Sequence, residues 1–135
     1  MFDAYLVPEK TVITAKGDSE PFDISGAGNR VFLLTLSIAS IVEQESIEIA
    51  VVTSADGAAW DPKPVASISQ KFYPGEYPVL VDLSLLPDAK FVRAHWEVSR
   101  WGRGPKDPKF EIALRLREIA PEALREAQTE AQTRR

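Results

Sequence analysis

The sequence has no cysteine and only one histidine, His95, among its 135 residues. Without cysteine there is no disulfide framework, no thiolate metal site and no cysteine nucleophile. A single histidine gives no support to a Ser-His-Asp triad or a histidine-rich zinc site. The loop aspartates form no dense run of oxygen ligands of the kind that binds calcium. The sequence contains neither the phosphate loop G-x-x-x-x-G-K-[ST] nor a G-x-G-x-x-G motif between a strand and a helix. We therefore predict no catalytic activity, no cofactor and no metal site.

The sequence also lacks long apolar runs and an excess of basic residues. No stretch approaches the roughly 18 apolar residues that a membrane-spanning helix needs. The first ten residues, MFDAYLVPEK, have neither the basic region nor the apolar run of a secretory signal. The net charge of −4 argues against binding to nucleic acid or to an anionic membrane. We expect synthesis in the cytoplasm, with incorporation into a virion-like particle as one destination.

Alternating apolar residues between frequent turns dominate what is present. Ten prolines and seven glycines punctuate the chain, and alternation between them is the signature of strands. About eight strands at roughly ten-residue spacing are typical of an antiparallel sandwich or barrel. We predict one all-β domain over residues 1–119, an antiparallel β-sandwich of jelly-roll type. Helix-forming residues after Pro121 predict a short helical or flexible tail over residues 120–135.

The predicted strands differ in how clear their pattern is. They cover residues 11–15, 22–24, 31–41, 46–54, 65–69, 79–84, 91–101 and 110–119. In the longest apolar run, VFLLTLSIASI, we expect the even-numbered positions from Phe32 to Ile38 to face the core. Small, rather apolar residues occupy the other face of that run.

The loops at one end of the sandwich carry a group of aromatic residues. If each strand reverses direction, the SADGAAW loop and the LLPDAK turn share one end, and the KFYPGEYP turn and WGRGPKDPK loop share the other. Aromatic side chains and arginine dominate binding hot spots, and aromatic rings also stack on sugars. The predicted ligand or partner site is therefore Phe72, Tyr73, Tyr77, Trp101 and Arg103. The alternative is that both tyrosines pack beneath their own turn and Trp101 caps the sandwich.

The last two long strands present a partly basic outer face. Arginine is enriched at protein interfaces, so a subunit contact is predicted there, extended by an apolar residue of the tail. The residues of this predicted interface are Arg93, His95, Arg115, Arg117 and Leu124. The alternative is that this face is simply solvated, since exposed ion pairs contribute about 0–1 kcal/mol each.

The middle of the chain, residues 47–98, resembles small jelly-roll modules of the discoidin type and related carbohydrate-binding domains. The pattern S-x-D-G-x-x-W is formed by Ser54, Asp56, Gly57 and Trp60, and is followed by the segments DLS and AKFVRAHW. In such modules the motif is mostly architectural, with Asp-Gly forming a turn and the tryptophan covering an edge of the core. Similar sandwiches also serve as phage capsid-decoration and tail components.

These patterns lead to two hypotheses about function. The first is a non-enzymatic structural or assembly protein, phage-derived or virus-like, which self-associates and contacts other structural proteins. The second is a carbohydrate-binding module that uses the aromatic loop residues to hold a glycan.

Overall fold

A computed structural model describes residues 2–41, 45–100 and 109–120 and places nine strands among them. They form two antiparallel sheets that pack face to face as a β-sandwich. The strands are β1 (Asp3–Ile13), β2 (Gly17–Asp18), β3 (Phe22–Asp23), β4 (Val31–Ile41), β5 (Glu45–Ser54), β6 (Ala66–Lys71), β7 (Gly75–Asp82), β8 (Phe91–Arg100) and β9 (Phe110–Glu118). The tail predicted to be helical, residues 121–135, lies outside the described residues.

The order of the strands is that of a jelly roll. Sheet A has the order β1-β9-β4-β7, and sheet B has the order β2-β8-β5-β6, with β3 also pairing with β8. If β2 and β3 are counted as one interrupted strand, the pairs are nested. β1 pairs with β9, β2 and β3 pair with β8, β4 pairs with β7, and β5 pairs with β6 in the innermost hairpin. This nesting folds one long antiparallel ribbon into two sheets. The predicted fold class is confirmed.

Alternation decides which side chains enter the core between the sheets. In β4, Phe32, Leu34, Leu36 and Ile38 are buried, while the residues between them are half-exposed. Fully burying one such side chain contributes about 1.5–3 kcal/mol. The same inward-facing pattern, as predicted, holds for three further strands: Ile47, Ile49 and Val51 in β5, Val92, Ala94 and Trp96 in β8, and Phe110, Ile112, Leu114 and Leu116 in β9.

The prediction was wrong at the N-terminus, where β1 begins at Asp3 and not at Thr11. The alternation in this strand is interrupted because its register against β9 shifts twice. Pro8 cannot donate to the ladder, and Lys10 adopts a positive φ of 64°, so the segment does not read as a strand. Pairing with β9 along most of its length nevertheless holds it in sheet A.

The turn before β7 is also shorter than predicted. The KFYPGEYP segment was interpreted as a turn, but β7 begins at Gly75 and includes Pro78. Proline is tolerated there because β7 lies at the edge of sheet A, where one side of the strand has no ladder partner.

Glu118, at the end of β9, fastens three parts of the chain together. Its Oε1 accepts the backbone N–H of Phe2, and its Oε2 accepts the backbone N–H and side-chain amide of Asn29 at 3.0 and 2.7 Å. These bonds, the one from Phe2 foremost, hold the pKa of Glu118 below its ordinary value, while burial opposes them. The start of β1 and the loop before β4 are thereby tied to β9.

Candidate interaction surfaces

The predicted basic stripe does not exist as one surface, because β8 and β9 do not pair. β8 lies in sheet B and β9 in sheet A. Arg93 and His95 therefore lie on the outer face of sheet B, here called face B. Arg115 and Arg117 lie on the outer face of sheet A, here called face A. Leu124, the fifth residue of the predicted interface, is outside the described residues.

On face B, His95 is held between two carboxylates. Its Nδ1 lies 2.9 Å from Oδ1 of Asp18, and its Nε2 lies 2.8 Å from Oε1 of Glu97. Both ring nitrogens donate only in the imidazolium form. The hydrogen bond to Glu97, followed by the bond to Asp18, raises the pKa of His95, while partial burial opposes them. Through its contact with Asp18, the ring fastens the two-residue strand β2 to β8.

The surroundings of His95 fit a structural role better than a metal site. Arg93 approaches Asp18 at 3.8 Å, and Glu48 lies opposite Glu97 on β5. A groove of about 380 Å³ runs beside the ring over Ala50 and the outer side of β6. No group of three or more histidine, cysteine or acidic side chains within residues 2–41, 45–100 and 109–120 has an arrangement that could hold a metal ion.

The SADGAAW loop closes on itself through backbone hydrogen bonds. Oγ of Ser54 accepts the N–H of Gly57 at 2.8 Å, and Oδ1 of Asp56 accepts the N–H groups of Ala58 and Ala59. These two backbone bonds, the one from Ala59 foremost, hold the pKa of Asp56 below its ordinary value. Gly57 has a φ of +81°. The predicted turn requiring a positive φ is therefore confirmed.

Trp60 was expected to cover an edge of the core, and that detail was wrong. Its ring stacks on the guanidinium of Arg93, with the Cζ atom 4.5 Å from the ring centroid. Arg93 points outward from β8, so Trp60 lies against face B and is not among the core residues described. The contact is a cation–π interaction that fixes the loop against the sheet.

The end of the sandwich near Trp60 also holds the LLPDAK turn, as predicted. Together the two loops enclose a shallow pocket of about 300 Å³. Leu85 is 91% exposed beside it. Arg30 donates hydrogen bonds to the carbonyl groups of Leu86 and Ala89, which fixes the turn from below.

At the opposite end, only part of the predicted aromatic site is described. Tyr77 is partly buried, its hydroxyl donates to the carbonyl of Tyr73 at 2.6 Å, and Lys71 lies over its ring. Tyr73 itself is 73% exposed, and Phe72 is 44% exposed. The alternative in which the tyrosines pack beneath their own turn thus holds for Tyr77 and not for Tyr73. Trp101 and Arg103, the other two predicted site residues, lie outside the described residues.

Face A carries a groove of about 500 Å³, which is larger than the groove beside His95 and the pocket near Trp60. Its floor is made of small side chains, Thr35, Ser37 and Ala39 of β4 and Ala113 of β9. Arg115 stands at one side and makes a bidentate ion pair with Asp3 of β1, with Nε 2.9 Å from Oδ1. This pair, led by its hydrogen bonds, lowers the pKa of Asp3 and raises that of Arg115.

Face A carries charges of both signs along its strands. Leu33 pairs with Arg117, and Thr35 with Arg115, toward the start of β4. Toward its end, Ser37 pairs with Glu76, and Ser40 with Glu111. The carboxylates of Glu76 and Glu111 make no hydrogen bond or ion pair to any described residue. The arginine end also carries two carboxylates, that of Asp3, which pairs with Arg115, and that of Asp82, which lies opposite Val31, and Lys10 lies beside the end with the two glutamates.

The sequence pattern predicted that Arg115 and Arg117 face outward, but it did not predict all of the charged residues that surround them on face A. Glu111 shares the alternation of β9 with Arg115, and the pattern alone correctly predicted it on the same outward face. Asp3 and Glu76 could not be predicted there, because they belong to strand segments that the prediction assigned to a terminus and a turn.

No protein-family model and no curated protein matches this chain. The resemblance to discoidin-type modules accordingly stays a prediction. Among the described residues there is no helix long and apolar enough to cross a membrane.

Proposed function

We propose that this protein is a non-enzymatic structural protein that assembles by self-association, with face A as its contact surface. The observation that carries this proposal is the small-residue floor of face A. A solvated face of an antiparallel sheet usually carries polar, often long, side chains along its whole length. Here the centre of a four-stranded sheet carries the half-buried Thr35 and Ser37 and the buried Ala113, bordered by Leu33 and the exposed Leu80.

A floor of this kind lets a second flat surface come close. Facing sheets pack at about 10 Å, a distance that depends on side chains that fit between them. Leu80, 48% exposed on the edge strand β7, adds apolar area beside Leu33. Burial of apolar surface is the main favourable contribution to association.

The proposed setting is a larger particle built from repeated copies, such as a phage-like capsid decoration or tail component. Jelly rolls form both viral capsid subunits and lectins, and a fold alone does not determine function. Face A, and not the fold, therefore supports assembly over glycan binding.

The molar mass in solution tests the proposal. Size-exclusion chromatography with light scattering, from about 1 to about 200 µM to cover weak specific contacts, should show a mass of at least twice the monomer, increasing with concentration. A monomer at every concentration would contradict the proposal. If the monomer bound glycans, and if Trp101→Ala abolished that binding while Trp60→Ala did not, the function to propose would be carbohydrate binding and not assembly.

A further inference from the structure

We propose that Pro78 keeps the edge of sheet A closed to a second copy of the chain, which would otherwise add its own β7 there as a further strand. The proposal concerns the edge of the sheet and not face A, so it does not depend on the proposed function. Its basis is a comparison of the edge strands of the two sheets.

β7 is the one edge strand with an unbroken ladder in the part of the chain that the structure describes. β1 shifts its register against β9 twice, and Lys10 within it has a positive φ. β2 and β3 are two residues long, and β6 has a register shift against β5. β7, in contrast, pairs with β4 over eight consecutive positions without a shift. A long, regular edge is a template for another strand.

Two hydrogen bonds show which backbone groups of β7 face away from the sheet. The N–H of Leu83 donates to the carbonyl of Arg30 at 2.8 Å, one position beyond the last register pair of β4 and β7. On the other side of β4, the N–H of Ile119 donates to the carbonyl of Val31 at 2.9 Å, which fixes the same alternation. Because bonded and non-bonded pairs alternate in an antiparallel ladder, the odd-numbered residues of β7 bond to β4. The even-numbered residues turn their N–H and C=O groups outward, and all of them are exposed: Glu76, Pro78, Leu80 and Asp82.

Pro78 lies in the middle of this outward row. A second β7 that ran antiparallel about a two-fold axis at position 78 would form bonded pairs there and between Glu76 and Leu80 in both directions. Proline has no N–H, and its ring carbons occupy the place from which the N–H would donate. The central pair is therefore lost. Any register that keeps more than two bonded pairs still sets Pro78 against an outward residue of the second copy.

The residues around Pro78 would otherwise favour such pairing. Tyr77, Val79 and Val81 are residue types that are enriched in strands. Leu80 is 48% exposed and would lie opposite Glu76 of the second copy, so that no two carboxylates face each other at these positions. The proline is thus the feature of this edge that keeps strands of different copies apart.

Pro78→Val restores the missing donor and tests the proposal. In size-exclusion chromatography with light scattering, this variant should have at least about twice the molar mass of the wild type at equal concentration, because paired edges join two copies. Pro78→Thr, which adds a donor with less apolar surface, should show the same increase. Pro87→Val is the matched control, since Pro87 is an exposed proline in a turn; it should leave the molar mass unchanged. Circular dichroism with urea unfolding checks that each variant folds.

Amide hydrogen exchange measured by NMR locates the contact. In the wild type, the N–H of Leu80 should exchange at least about tenfold faster than those of Val79 and Val81, which bond to β4. In Pro78→Val, exchange at Leu80 should slow at least about tenfold as the concentration is raised, because a strand of the second copy covers it.

The outcomes separate this proposal from the proposed function. A larger mass in Pro78→Val, with slowed exchange at Leu80 and an unchanged Pro87→Val, supports it. A folded Pro78→Val with the wild-type mass, an equal increase in Pro87→Val, or a gain in mass without slowed exchange at Leu80 overturns it. Exchange at Leu80 as slow as at Val79 in the wild type also overturns it, and needs no substitution. A monomeric wild-type chain contradicts only the proposed function, since the comparison between variants is unaffected.

Discussion

Gly57 is the position where one added methyl group tests the local structure most sharply. Its φ of +81° lies in the left-handed region, where the Cβ of an L-residue costs about 1–2 kcal/mol. A Cβ at this position would lie 3.5 Å from the ring of Phe91, an ordinary van der Waals distance. The cost of Gly57→Ala is therefore almost all backbone strain, and the bond from its N–H to Ser54 prevents the turn from relaxing.

The expected loss in the free energy of unfolding is about 1–2 kcal/mol for Gly57→Ala. Gly57→Asn should cost clearly less, because asparagine tolerates the left-handed region. Gly26→Ala is the matched control, since Gly26 has no positive φ and no atom within 4 Å of an added Cβ. It should be neutral or stabilise the fold by up to about 1 kcal/mol through the unfolded state.

Urea unfolding measures all three variants. With a slope of about 1–3 kcal/mol per molar urea, Gly57→Ala should lower the midpoint by roughly 0.3–2 M. A loss within about 0.3 kcal/mol of zero for Gly57→Ala, against the strain expected in that region, would refute the reasoning. Equal losses for alanine and asparagine would also refute it, because they would show that strain at positive φ is not the cause.

Three further predictions follow from the core and from face B. Leu36→Ala should lower the free energy of unfolding by about 2.7–5 kcal/mol, because Leu36 is fully buried, whereas Thr35→Ala on the outer face should change it by less than about 0.5 kcal/mol; equal urea midpoints would contradict the alternation. His95 has a pKa raised above 6.5, so its contribution to stability is fully present below about pH 6.5 and is lost as pH rises through the raised pKa. Titration of the single histidine signal by NMR, with urea unfolding at about pH 6 and pH 9, should show this loss in the wild type and not in His95→Gln; a pKa at or below 6.5 would contradict it. A double-mutant cycle between Arg93→Ala and Trp60→Leu should give a coupling of about 0.5–1 kcal/mol, and a coupling of zero would show that the stack does not stabilise the loop.

The core strands could be predicted because their alternation is local. In β4 and β9 every second residue from Phe32 to Ile38 and from Phe110 to Leu116 is apolar, and burial follows that pattern. The turn at Gly57 could be predicted as well, because the Asp-Gly pair by itself favours a turn with a positive φ. A strand whose apolar alternation is interrupted cannot be predicted in this way. β1 is the example, because its register against β9 shifts around Pro8 and Lys10.

The surfaces could be predicted only in part, because they depend on pairing between distant segments. The outward direction of Arg93 and Arg115 follows from alternation, but their separation onto two faces follows from the nesting of the jelly roll. The partner of Trp60 is 33 positions away on β8, and the partner of Arg115 is Asp3 at the other end of the chain. No short-range pattern records such pairs.

The distance between identical positions of two copies tests the central claim most directly. Because the chain has no cysteine, Glu76→Cys on face A and Glu48→Cys on face B can each carry a single spin label, and electron–electron resonance gives the label-to-label distance. Face-to-face packing of sheet A, with about 10 Å between successive sheets, predicts less than about 25 Å for the pair at position 76 and more than about 30 Å for the pair at position 48. The reverse order, or no distance at position 76 under conditions where the chain self-associates, would contradict assembly through face A.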